Sequence, residues 1–151
     1  MSRPLGLALV LALLCAACGD DGPTSSAADA MRAAGTYDVT IEAGGKTDPD
    51  VMYVSVGTNG TVLLNFLHSF SQLRGIIAMG GAVTLLSQAV QVEHATGKLD
   101  GAGGGTGTFS ADGMVSLKVD VSSSGTSDAG VVAGDGGPLR VTYTITGTKR
   151  P

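Results

Sequence analysis

The chain has 151 residues and a formal net charge of −4, which fits one domain and excludes the basic footprint of a nucleic-acid binder. With 43% hydrophobic and only 15% charged residues it is not a charge-rich disordered chain. Its 24 glycines lie far above the usual ~7%, and together with Val, Thr and Ser they point to short strands joined by tight turns.

The first segment is a leader. Arg3 and the free amine give a short positive start, and Leu5 to Ala17 carries no charge. That apolar run is shorter than the ~20 residues a membrane-spanning helix needs and matches the core of a secretory signal. Cys15 and Cys18 have the C-x-x-C spacing of a redox pair, but that chemistry needs a folded βαβ setting that a leader lacks.

Leu14-Cys15-Ala16-Ala17-Cys18 resembles the lipobox of bacterial lipoproteins. The resemblance implies cleavage between Ala17 and Cys18, a lipid on the Cys18 thiol and acylation of the new amine. Cys15 stands where Leu is usual; taking Cys15 itself as acceptor would put Leu14 at the position reserved for a small residue. Several acyl chains on one cysteine hold a protein on a membrane stably. Gly19, not Asp, follows Cys18, and by the same resemblance the protein belongs in the cell envelope, on the outer membrane. A lipidated Cys18 leaves the mature chain without a free thiol or a disulfide.

Residues 18–34 then read as the lipid anchor and a flexible tether, which would span ~20–24 Å root-mean-square. Within it, Ser26 and Asp29 are spaced to cap a short alanine-rich helix before Gly35, with too few apolar residues to dock firmly. The β-domain is expected over 35–151. Tyr37, Val39 and Ile41 alternate with polar residues, as in a half-buried strand. "GGKTDPD" reads as a turn. "VMYVSVGTNGTVLLNF" reads as a hairpin about Asn59-Gly60, and "GTFSADGMVSLKVDV" as another about Asp112-Gly113. Val115, Leu117, Val119 and Val121 share one strand face, as do Leu139, Val141, Tyr143 and Ile145. The segment 68–92 has two readings. Strands would turn at Gly80-Gly81, whereas a helix near 82–94 would put Val83, Leu86 and Val90 on one face. The strand reading gives an all-β, antiparallel up-and-down barrel of about eight strands, which removes exposed edges. A two-layer sandwich, or an α+β fold with that helix, is the alternative.

No motif selects a catalytic, metal or cofactor site. His68 and His94 lack the clustered partners of a metal centre and read as strand-end or loop residues. Ser87 and Ser110 sit in no nucleophile elbow, and Glu42 and Glu93 are not selected as a carboxylate pair. "DGAGGGTGT" at 100–108 lacks the G-K-[ST] ending of a phosphate loop and reads as glycine at a strand entry or bend. Asp128 and Asp135 in the long Gly/Ser loop lack the alternate oxygens of a calcium loop.

Gly35-Thr36-Tyr37 resembles the G-x-W opening of a lipocalin barrel, with Tyr for Trp. The resemblance implies an eight-stranded barrel whose mouth takes small apolar molecules, with an Arg near the end of the chain packed over the ring; Arg140 is the candidate and Arg150 its rival. The expectation is a non-catalytic, lipid-anchored envelope domain binding a small apolar ligand. The alternative is a structural or protein-interaction domain, of which an inhibitor is one version, acting through a loop or strand edge.

Overall fold

The computed structural model describes residues 25–123 and 138–151. The expected leader over 1–17, with Cys15 and Ala17, and also Cys18, Asp128 and Asp135 lie outside them. One helix, α1 (Ser25–Ala33), precedes eight strands: β1 (Gly35–Ala43), β2 (Lys46–Val56), β3 (Thr61–Phe66), β4 (Leu73–Ile77), β5 (Ala82–His94), β6 (Gly97–Phe109), β7 (Met114–Ser123) and β8 (Leu139–Lys149). Each strand pairs antiparallel with its neighbour in sequence, and β8 returns to β1, so the sheet is a closed barrel. The closing register sets Tyr37 opposite Lys149 and Ile41 opposite Ile145.

Period-two patterning drives the closure. Tyr37, Val39 and Ile41 of β1, Val115 to Val121 of β7, and Tyr143 and Ile145 of β8 point inward and are buried. Outward positions carry Asp38, Thr40, Glu42, Ser116, Lys118 and Asp120. The outer wall is therefore polar, the reverse of the apolar band that faces lipid in a transmembrane barrel. No described helix is long and apolar enough to cross a membrane.

The segment 82–94 is strand β5, not a helix. Its pairing with β6 steps from Leu85–Gly105 to Gln88–Gly103, so one extra residue bulges out of β5. The bulge flips the inward parity: Val83 and Leu85 face the core before it, Val90, Val92 and His94 after it. At the bulge, the Gln88 side chain stands in for a backbone group. Its Oε1 accepts the Arg74 N–H at 3.2 Å and its Nε2 donates to the Arg74 carbonyl at 3.2 Å. Gln88→Leu removes both bonds at a half-exposed site and should cost about 1 kcal/mol, read as a lower denaturant midpoint at unchanged slope.

The glycine run is wall, not loop. Inward positions of β6 read Leu99, Gly101, Gly103, Gly105, Gly107 and Phe109. The missing side chains let the barrel turn a tight corner. Neighbours occupy the space: a Cβ on Gly103 would lie 2.8 Å from Val90 Cγ2, and one on Gly107 would press on Leu117.

Two expectations change. The turn at "GGKTDPD" is confined to Gly44 and Gly45, both with positive φ, and β2 begins at Lys46. Helix α1, expected within a loose tether, is docked against the start of the barrel. Ala30 and Ala33 are buried, Tyr37 Oη donates to the Ala33 carbonyl at 2.9 Å, and Asp29 accepts the Gly80 N–H at 2.7 Å. Small side chains let the helix approach closely, and polar contacts supply what apolar area does not.

Candidate functional site

The strand directions sort the connections onto two ends. One end carries α1, the turns at 57–60 and 110–113, and the 3₁₀ turn Met79–Gly81. The other carries the 43–46 turn, the strap 67–72 between β3 and β4, and the β5–β6 tip at 94–97. It is at this second end that polar side chains enter the barrel.

Asp50 is the anchor there. It lies on the inward face of β2, and its side chain is 0% exposed. One oxygen accepts the Val51 N–H at 2.7 Å; the other accepts Ser69 N–H at 2.8 Å and His68 N–H at 3.2 Å. Burial alone would raise this carboxyl; the bonds from Ser69, Val51 and His68 outweigh it and hold the group below its ordinary range. The carboxylate thereby pins the strap, whose Ser69 and Ser71 then pair with Glu93 and Gln91 of β5. His68 itself points to solvent, with Nδ1 3.4 Å from Asp50.

The pinned strap drives Phe70 into the barrel. Its ring lies 5.1 Å from Phe66 and 5.3 Å, edge-on, from Tyr143. His94 continues the row at 5.7 Å from Tyr143. The His94 imidazole is buried, and Thr96 N–H donates to its Nδ1 at 3.2 Å. Nε2 therefore carries the proton and donates to the Ile41 carbonyl at 3.1 Å. The β5–β6 tip is thus folded across the mouth onto β1 and β2. Asp48 accepts the Ala95 N–H at 2.5 Å, and Lys46 Nζ donates to the Ala95 carbonyl at 3.1 Å. Burial raises the Tyr143 hydroxyl, with a bond to Thr96 acting the other way. Beside the strap lies a cleft of about 330 Å³ rimmed by Ser69, Ser71, Glu93, Lys98 and Asp100.

Of the residues singled out in the sequence, His94 enters the barrel at this end, His68 and Glu93 lie at the strap with their side chains outward, and the other described ones take no part in the mouth. Gly35 and Tyr37 stand at the helix end, where the Tyr37 ring meets Phe109 at 5.5 Å. Arg140 does not cover that ring: it pairs with Ser122 at the far end of β8, because the chain needs the whole of that strand to return to Tyr37. Lys149 lies over Gly35 instead, and Arg150 forms a bidentate pair with Asp38. Glu42 and Glu93 point outward from different strands, and Glu93 meets Lys98 at 3.2 Å. Ser87 lies in the β5 bulge, and Ser110 caps its own turn by accepting the Met114 N–H at 2.9 Å. Among the described residues, no group of three His, Cys, Asp or Glu side chains is placed to hold a metal. The sequence does not single out Asp50, because Asp48-Pro49-Asp50 has the composition of a turn; its signal is that Asp48, Asp50, Met52 and Val54 continue one period-two face.

No family model matches the chain, and no curated protein does. The fold does have a likeness among solved structures. A chain described as "Structure of EF1p2_mFAP2b bound to DFHBI" is similar over 83% of this chain and 98% of its own, with a TM-score of 0.55 at 12% identity, a likeness of fold alone.

Proposed function

We propose that the protein is a non-catalytic, lipid-anchored domain of the cell envelope, held on the outer membrane through Cys18, whose barrel takes a small apolar ligand at the end closed by the strap 67–72. One observation carries the ligand reading: Phe70 fills the lumen mouth although it belongs to a connecting strap and not to the wall. The strap is held to β5, with Phe70 bridged to Val92, but it lies outside the eight strands of the closed sheet, so rotation of the Phe70 ring would open the space without breaking the barrel. The space it fills is bounded by Phe66 and Tyr143, a setting for a compact, preferably aromatic, ligand. The similar solved chain, determined with DFHBI bound, supports the architecture as one that accommodates such a guest. Anchoring rests on the lipobox-like Leu14–Cys18 and an outward face too polar to enter lipid.

The test uses the chain from Gly19 onward, titrated with N-phenyl-1-naphthylamine, an apolar dye that brightens in apolar surroundings. The native chain is expected to bind, and Phe70→Ala to bind about ten-fold tighter, since no ring must be displaced. Silence from both would point to a plugged core and to the second reading, a protein-interaction domain. That reading is favoured by the dense filling of the barrel by Tyr37, Ile41, Met52, Leu64 and Leu117. Its strand-edge form is removed by closure, which leaves no free edge.

A further inference from the structure

Exposed apolar side chains are not spread evenly. Among the described residues, seven large ones stand out: Met31, Tyr53, Leu67, Ile76, Met79, Leu86 and Met114. Met31 on α1 is 69% exposed, Met79 in the 3₁₀ turn 70%, and Met114 at the start of β7 50%. All three belong to the helix end of the barrel, and Ile76 and Tyr53 lie on the wall toward that end. Helix α1 and the Met79–Gly81 turn are in direct contact, joined by the bond from Gly80 N–H to Asp29. Unbranched, polarisable methionine suits an irregular apolar surface.

Charge has the opposite bias. At the helix end, Arg32 pairs with Asp29 and Arg150 with Asp38, while Lys149 Nζ donates to the Arg32 carbonyl at 2.9 Å. At the strap end, Glu42, Asp48, Asp50, Glu93 and Asp100 stand against Lys46, Arg74, Lys98 and Arg140, while at the helix end Asp29, Asp38 and Asp112 are matched by Arg32, Lys149 and Arg150. The excess of acid at the strap end is small, and its sign favours the helix end against an anionic lipid surface.

The position of the anchor selects the occupant. Residues 19–24 separate Cys18 from Ser25, and even a fully extended chain across that interval reaches only about 25 Å. The first residue of α1 is therefore tied close to the membrane, and α1 belongs to the methionine end. We propose that this end rests on the bilayer, with Met31, Met79 and Met114 at the boundary between headgroups and acyl chains and the strap end directed away from it. The inference rests on the lipid-anchor reading of Cys18. It makes the barrel a body seated on the membrane, with the Phe70 mouth facing the aqueous side.

The native chain contains no Trp, so a single introduced Trp reports without background. M79W, M114W and L67W are made in the full chain, extracted from membranes and reconstituted in phosphatidylethanolamine–phosphatidylglycerol vesicles with brominated acyl chains, which quench Trp on contact. The intact mass is read first. Emission of M79W and M114W is expected to fall roughly two-fold or more, and that of L67W to stay unchanged, since interfacial side chains reach only about 5–10 Å into the boundary. Lipid on Cys18 with unquenched M79W and M114W, or quenching of L67W in their place, overturns the orientation and leaves the anchor standing. A chain without lipid overturns the anchor and this inference with it.

Discussion

Asp50→Ala is expected to lower the free energy of unfolding by about 3 kcal/mol, because it strands buried N–H groups that now bond to a charged acceptor. Three donors converge on that carboxylate, from Val51, His68 and Ser69. Without it the strap loses its anchor, and Phe70 its reason to stay inside. Asp50→Asn keeps the shape and one acceptor oxygen, so a smaller loss is expected. The pH dependence has a definite sign. The folded carboxyl lies below its ordinary value, so its contribution is complete above the unfolded value of about 4 and is lost as pH falls through the lower folded one. Urea unfolding of the native chain and Asp50→Asn should therefore differ at pH 6, and the difference should shrink as pH falls below the ordinary carboxyl value of about 4. Equal stability at pH 6 would remove Asp50 from the account of the strap.

The second large effect lies in the glycine strand. A Cβ on Gly105 would overlap the backbone carbonyl oxygen of Lys118, and no rotamer of a neighbour relieves a clash with main chain. Gly105→Ala is expected to cost about 3 kcal/mol or more, the upper part of the overpacking range. The adjacent Gly104 is the control. It faces the β5 bulge, where a Cβ would sit 3.5 Å from Leu85 O and Ser87, an ordinary contact. Gly104→Ala should change stability by no more than about 0.5 kcal/mol. Thermal unfolding of the two variants side by side separates a wall that needs glycine from a run that merely contains it. Similar midpoints would contradict the close approach of β6 to β7.

Much of the barrel was legible because the inward face is apolar and the outward face polar, strand after strand. Tyr37-Val39-Ile41, Val115 to Val121 and Tyr143-Ile145 carry that signal without interruption. At β5 the signal was divided between a strand, which the fold has, and a helix, and the division has a physical reason. One bulged residue between Leu85 and Gln88 shifts a period of two by one position, and a shifted period of two resembles the three- and four-residue spacing of a helix. Helix α1 was legible as a helix but not as docked, since its bonds to Gly80 and Tyr37 are tertiary and leave no local trace. The mouth was the least legible part. Asp50 bonds to residues eighteen and nineteen positions away, and His94 reaches Ile41 across the barrel. No spacing in the chain announces such contacts, and the Pro49-Asp50 pair looked like turn chemistry. The packing of an Arg over Tyr37 failed for a similar reason: strand length places Lys149, not Arg140, beside that ring's strand.

The most direct single test is native against denaturing mass spectrometry of the full chain extracted from membranes. The denatured mass is expected to be that of residues 18–151 with acyl chains on Cys18, and the native mass to exceed it by one small, dissociable molecule. Cys18→Ser should release the protein from the membrane fraction. An unlipidated chain whose native and denatured masses agree would contradict both the anchor and the ligand.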